Sequence, residues 1–166
     1  MHKDRSPFRS SIFQDWRANA RDPKMQMVLA LFRSCQLLMG PDLRNRPRAL
    51  PMIALYRALT ELVLGFELRP KTRVGPGLTI YHAYGLVVND HAIIGRGVVL
   101  RNAVVIGQAR PGGPSPRIED YVEVGASALI LGPVVVGERA TVGAGAVVVK
   151  DVPAGRTVVG NPGRLI

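Results

Sequence analysis

Apolar residues recur every six positions through the second half of the chain. Ile118, Val124, Ile130, Val136, Val142 and Val148 form an unbroken series, and Val88, Ile94, Leu100 and Ile106 lie upstream in the same phase. Glycine follows the apolar residue in several repeats: Gly75, Gly95, Gly107, Gly125, Gly137 and Gly143. Four residues after it comes another small or apolar side chain, at Val98, Val104, Val122, Ala128, Val134, Ala140 and Ala146. This is the signature of a hexapeptide β-helix. Each unit is a short strand plus a corner. One β-branched side chain per unit points to the axis, and glycine supplies the backbone conformations that corners need. Three units make one triangular coil of roughly 18 residues, paired through its backbone with the next coil. The class is therefore mainly β.

Upstream the pattern changes. Trp16–Gly40 and Pro51–Phe66 read as helices. Asp22-Pro23 and Gly40 mark the ends of the first, and Pro51 and Gly65 those of the second. "GPDLRNRPRALP" is a Pro/Arg-rich connection between them. The predicted organisation is a helical segment over residues 1–66 and a β-helix with a C-terminal tail over residues 67–166. The helices are expected to cap the first coil, which would otherwise be an exposed strand edge.

The period breaks twice. Ile80 and Val88 are eight apart rather than six, and His82 lies in the slip, within "TIYHAYGLVVND". The second break is "GQARPGGPSPR", residues 107–117, where three prolines and three glycines, the in-phase Gly112 among them, predict a loop thrown out of the coil. Local rules tend to be broken at functional sites, although solenoids also tolerate plain insertions at corners. An imidazole at a corner suits a general base. Glu67, 15 residues earlier and slightly less than one coil away, could stack near it and hold its other nitrogen. Three histidines and one cysteine leave too few ligands for a histidine-rich metal centre, so no metal is expected.

Composition adds bounds. The 166 residues are 47% hydrophobic, enough for one or two small domains with a real core. Cys35 is the only cysteine, so no disulfide forms within the chain. The net charge of +10 is concentrated upstream: residues 1–73 hold 14 Lys/Arg against 6 Asp/Glu, residues 74–166 hold 8 against 6. Arg44, Arg46 and Arg48 could meet a phosphate or the anionic face of a membrane, or simply be a solvated linker. Aromatics that would stack bases are few, and no nucleic-acid partner is expected. "MHKDRSPFRS" lacks the apolar run of a signal peptide, and arginines interrupt both apolar segments before they reach a membrane span. A cytoplasmic protein is expected, with peripheral contact at the inner membrane face as an extension.

"LYRALTELVLGFELRPKTRVGPGLTIYHAYGLVVND", followed by the looped insertion and by "GAGAVVVKDVP" and "GNPGR", resembles the serine acetyltransferase branch of the hexapeptide acyltransferases. The similarity is closest to the colanic acid and related exopolysaccharide biosynthesis acetyltransferases. The resemblance implies a left-handed parallel β-helix and a homotrimer with acetyl-CoA in a groove between subunits. By position, His82 matches the catalytic base and Glu67 the acidic residue that orients it. Ala126 and Ala144 match positions lining the pantetheine and adenine path, Lys150 and Arg164 basic positions near the CoA phosphates, and Gln108 begins the loop near the thioester. Serine acetyltransferases carry an aspartate where this chain has Tyr81, and a loop histidine where it has Ser115. These departures imply a small-molecule or lipid-linked sugar as acceptor, with Tyr81, Tyr84 and Ser115 on the acceptor side. Serine O-acetylation is the alternative, and a non-catalytic β-helix scaffold is a rival of another class.

Overall fold

The computed structural model describes residues 11–44 and 46–166; the N-terminal decapeptide read for a signal sequence, with its His2, and Asn45 of the connection lie outside them. Among the described residues, fifteen short strands wind into three parallel sheets, one on each face of a triangular prism. The first face holds β1 (Glu67–Leu68), β4 (Val87–Val88), β7 (Val105–Gly107), β10 (Leu129–Leu131) and β13 (Val147–Val148). The second holds β2 (Arg73–Val74), β5 (Ile93–Ile94), β8 (Arg117–Ile118) and β11 (Val135–Val136). The third holds β3 (Thr79–Ile80), β6 (Val99–Leu100), β9 (Glu123–Val124), β12 (Thr141–Val142) and β14 (Thr157–Val159), with β15 (Arg164–Leu165) folded back antiparallel on β14.

The hexad phase becomes the core. Ile80, Val88, Ile94, Leu100, Ile106, Ile118, Val124, Ile130, Val136, Val142 and Val148 are all buried, and so are Val98, Val104, Val122, Ala128, Val134, Ala140 and Ala146. Each such side chain contributes about 1.5–3 kcal/mol when it leaves water, somewhat less for alanine.

Register shows how the two breaks are absorbed. Leu68 pairs with Val88 and Ile80 with Leu100, so the first coil is 20 residues long. Ile106 pairs with Ile130 and Leu100 with Val124, a coil of 24. The next is a regular 18, Val124 to Val142, and the last a short 16, Val142 to Val158. The Gly107–Arg117 insertion is thus one whole hexad, which is why Ile106 and Ile118 stay in phase.

Neighbouring coils touch so closely at the corners that some glycines admit no Cβ. One added at Gly125 would lie 2.5 Å from the Ala144 nitrogen and 2.9 Å from its Cα, whereas one at Gly107 would meet nothing within 4 Å. Gly125→Ala should therefore cost about 1–3 kcal/mol by overpacking. Gly107→Ala should be near neutral. Thermal melts of the two variants check this, and equal effects would contradict the contact.

The helical segment seals the top of the prism. α1 (Pro23–Met39) begins at a non-helical Asp22, whose Oδ1 accepts the Met25 N–H at 3.0 Å, and ends at Gly40 with φ +84°. It starts later than the expected Trp16, because proline at the first helical position forces the residue before it out of the helical region. Residues 12–21 form turns instead. The second helix also differs from expectation. α2 (Leu50–Arg57) follows a 3₁₀ turn, Pro47–Ala49, and runs into a wide π-helical turn, Ala58–Val63. There the Thr60 hydroxyl donates to the Tyr56 carbonyl at 3.0 Å, a back-bond that loosens the regular ladder.

Polar side chains from this segment satisfy the open edge of the first coil. Arg33 donates to the Val74 and Gly75 carbonyls at 2.8 and 2.7 Å, and Gln36 to those of Pro70 and Thr72 at 3.2 and 2.9 Å. Asp15 Oδ1 accepts from the Gly77 and Leu78 N–H groups, and Asn19 both donates to the Leu78 carbonyl and accepts from the Ile80 N–H. Tyr56 donates to the Leu68 carbonyl at 2.8 Å. Burial holds its phenol well above the ordinary value, so it remains a donor. The Arg33 guanidinium and Asp15 carboxylate, both buried, pair at 2.7 Å. Helices and coils share one continuous apolar cluster from Met25 to Val158. Among the described residues no helix is long and apolar enough to cross a membrane.

Candidate active site

The corner joining the third face to the first is a ladder of small residues. The Ala103 N–H donates to the Tyr84 carbonyl at 2.9 Å, Ser127 to Asn102 at 3.0 Å, and Gly145 to Ala126 at 2.8 Å; above them Gly85 donates to Gly65 at 2.7 Å. Gly85, Ala103, Ser127 and Gly145 occupy the ladder's left-handed position, with φ of +73°, +54°, +59° and +68°. The two-residue excess between Ile80 and Val88 adds an extra left-handed residue at the top of this ladder, His82, with φ +53°. The slip thus pushes His82 outward, and its side chain is exposed. Among the described residues, no side chain or backbone group hydrogen-bonds to its imidazole.

Two tyrosines flank it. Tyr81, 43% exposed, takes the Arg101 guanidinium over its ring at 5.3 Å from the centroid. Tyr84, 77% exposed, lies against Gly65, where an added Cβ would come within 2.9 Å of the ring. Ala126 and Ala144 sit lower on the same corner. With rungs about 4.8 Å apart, Ala144 lies about 14 Å below His82. Lys150 and Arg164 meet at the bottom of the prism, lining a cleft of about 310 Å³ with Val148, Asp151 and Pro162.

Other expected site residues lie elsewhere within one chain. Glu67 stands one rung above Val87, next to the corner, but its carboxylate pairs with Arg69 at 2.7 Å rather than with His82. Gln108 and Ser115 belong to the loop on the following corner, between the first and second faces. There Gln108 Oε1 accepts the Gly112 N–H at 3.2 Å and the Ser115 hydroxyl donates to Asn89 Oδ1 at 3.0 Å. A larger groove, about 440 Å³, runs along the second face between Arg73, Arg96 and Arg117 on one hand and Glu119, Asp120 and Glu138 on the other. It lies on the far side of the prism from His82. Cys35 is no candidate nucleophile: it is buried in α1, and burial pushes its thiol up to about 11.

Sequence reasoning passes over Arg101 and Asn89. Neither breaks the period, and each gains its neighbour only when coils stack. The single available signal is the 20-residue offset that puts Arg101 under Tyr81.

Residues 115–150 match the family model described as "Bacterial transferase hexapeptide (six repeats)". The chain is 33% identical over 158 residues to the "Putative colanic acid biosynthesis acetyltransferase WcaB" of Escherichia coli K12, covering 93% of this chain and 98% of that one. Among solved structures, soybean serine acetyltransferase complexed with serine superposes with a TM-score of 0.78 at 35% identity, over 96% of this chain and 70% of that one. A serine acetyltransferase in complex with CoA gives a TM-score of 0.74 at 26% identity, over 92% of this chain and 67% of that one.

Proposed function

The chain belongs to the hexapeptide-repeat acetyltransferases of left-handed parallel β-helix fold, and from that premise we propose that it moves an acetyl group from acetyl-CoA to a hydroxyl of a sugar or exopolysaccharide precursor, with His82 as general base. The observation that carries this reading is the His82 corner. A two-residue insertion lifts an unpaired imidazole out of an otherwise regular ladder of small residues. The relatives that the chain resembles are acetyltransferases, and one neighbour is a CoA complex.

Acetyl-CoA supplies the activated acetyl group. The chain's own part is to hold and to move a proton. The imidazole takes the proton of the acceptor hydroxyl as that oxygen bonds to the acetyl carbon; the carbon–sulfur bond breaks and the sulfur leaves with the proton returned to it. The narrow ladder of Ala103, Ser127, Ala126 and Ala144 leaves room beside the corner for an extended chain. Lys150 and Arg164 supply positive charge for phosphates at its lower end. Gln108 is assigned to the thioester side and Ser115 to the acceptor side. Both reach the His82 corner only from a neighbouring copy, which favours a homotrimer. Glu67 acts as a positioning residue by exchanging Arg69 for the imidazole. Glu67→Gln should then lower turnover without weakening acetyl-CoA binding.

The deciding experiment is a thiol-release assay with acetyl-CoA against sugars, sugar nucleotides and free serine, paired with calorimetric titration of acetyl-CoA. Release with sugar acceptors supports the proposal. Release with serine alone makes the chain a serine O-acetyltransferase. Absence of both coenzyme binding and release makes it a scaffold.

A cytoplasmic enzyme with peripheral membrane contact is the corresponding reading for location. Arg44, Arg48 and the exposed Leu55 and Leu62 lie in the helical segment, although Arg46 pairs with Asp42 and Arg48 donates to the Leu38 carbonyl. Co-sedimentation with anionic vesicles that weakens in salt supports this contact, and its absence removes it.

A further inference from the structure

We propose that Arg101, held on the Tyr81 ring beside His82, selects an acceptor glycoside that carries an oxyanion, phosphate or carboxylate, close to the hydroxyl to be acetylated. This rests on the reading of His82 as the base.

The placement follows from the stacking of coils. The Tyr81 N–H donates to the Leu100 carbonyl at 2.9 Å, continuing the pairing of β3 with β6, and this sets Tyr81 directly over Arg101. The guanidinium lies 5.3 Å from the ring centroid. Such stacking orients the planar group and leaves the N–H edges of its fork free.

A second Arg–Tyr stack on the molecule shows what a purely structural pair looks like. Arg139 lies 5.1 Å over Tyr121, but its guanidinium is also engaged by the Glu138 carboxylate. Arg33, Arg46, Arg57, Arg69 and Arg117 likewise each have a carboxylate partner. Among the described residues Arg101 has none; others such as Arg73 and Arg96 also lack an ion pair, but they line the second face, away from His82, whereas Arg101 is stacked on the neighbouring Tyr81. No aspartate or glutamate occurs in residues 79–88 or 99–105, and Glu67, the carboxylate next to this corner, is paired with Arg69 at 2.7 Å rather than with Arg101. The Arg101 donors are therefore unspent. A guanidinium fork is matched by two oxygens of a phosphate or carboxylate, in charge-assisted hydrogen bonds roughly twice as strong as neutral ones. An acceptor whose only nearby charge is an ammonium would be repelled.

The test compares the full-length protein with R101Q and R101K, loaded with CoA and titrated with glucose 1-phosphate, glucuronic acid or methyl glucoside. Acetyl transfer to the same three is measured in parallel. The native protein should favour one anionic sugar over methyl glucoside by about tenfold or more. The arm that shows the preference tells phosphate from carboxylate. In R101Q the ratio should fall to about one, and R101K, which keeps the charge but not the fork, should fall between. A native ratio near one, or a ratio unchanged in R101Q, overturns the inference. If acetyl-CoA still binds and thiol is still released in that case, the acetyltransferase reading stands and only the role of Arg101 fails.

Discussion

His82→Ala should lower turnover by about 10²–10⁴ while leaving the fold intact. That loss corresponds to about 3–5 kcal/mol of barrier. The size reflects the proton transfer itself, since without the imidazole the acceptor hydroxyl must lose its proton to water while its oxygen attacks. The fold should hold because the side chain is exposed and tied to nothing among the described residues. The regular left-handed slot of the corner belongs to Gly85. His82 is itself left-handed, with φ +53°, but alanine meets the same steric cost there as histidine, so stability should move by no more than about 1 kcal/mol. Steady-state thiol release together with a thermal melt checks both halves. His91→Ala is the control, since that exposed histidine lies on a different corner, 3.8 Å from Asp90. Full activity in His82→Ala, or equal losses in both variants, would remove His82 from its role.

Arg33→Met should be the most damaging substitution for stability. The side chain makes five hydrogen bonds, two to Asp15, one to Gln36 and two to coil carbonyls. Methionine fills similar space but satisfies none of these groups. The Asp15 carboxylate would stay buried without a counter-charge while still accepting from Gly77 and Leu78. Breaking a buried pair from one side costs about 3–5 kcal/mol, which for a chain of this size lowers the melting temperature by roughly 10 °C. Asp15→Asn should cost a similar amount, because it strands the guanidinium instead. Arg46→Met, at a surface pair, should cost at most about 1 kcal/mol. Denaturant unfolding of the three variants gives the comparison; if Arg33→Met were no worse than Arg46→Met, the polar cap would not be what closes the first coil.

The two residues in these predictions are not equally visible in the sequence. His82 announces itself by falling in a slip of an otherwise strict period. The period is legible because each hexad must present one apolar side chain to the same axis, and Val88 to Val148 do so with no exception outside the loop. Arg33 has no such frame. In the linear pattern it only interrupts an apolar run. Its meaning depends on Val74 and Gly75, more than forty residues away, and no local rule links them. Asp15 and Asn19 are hidden for the same reason. Their side chains are spent on the coil edge, 59 to 63 residues distant. At the site, Ala126 and Ala144 fall on the His82 corner because the period counts rungs reliably. Counting also brings Glu67 to the rung beside that corner, but it cannot choose between Arg69 and His82 as the partner. Gln108 and Ser115 sit one corner away, since a loop that leaves the prism carries no phase to follow.

The extra hexad at Gly107–Arg117 has a practical implication for redesign. Because it is a whole unit, Ile106 and Ile118 meet the axis as though it were absent. Other excursions of a whole number of hexads could be spliced between those two anchors, so that the strands on either side keep their facing. A combinatorial library could therefore diversify this excursion beyond Gln108, with Ser115 in it, while Gln108 and the lower rungs with Ala126 and Ala144 remain a constant chassis. Acceptor preference would then be open to selection independently of coenzyme recognition.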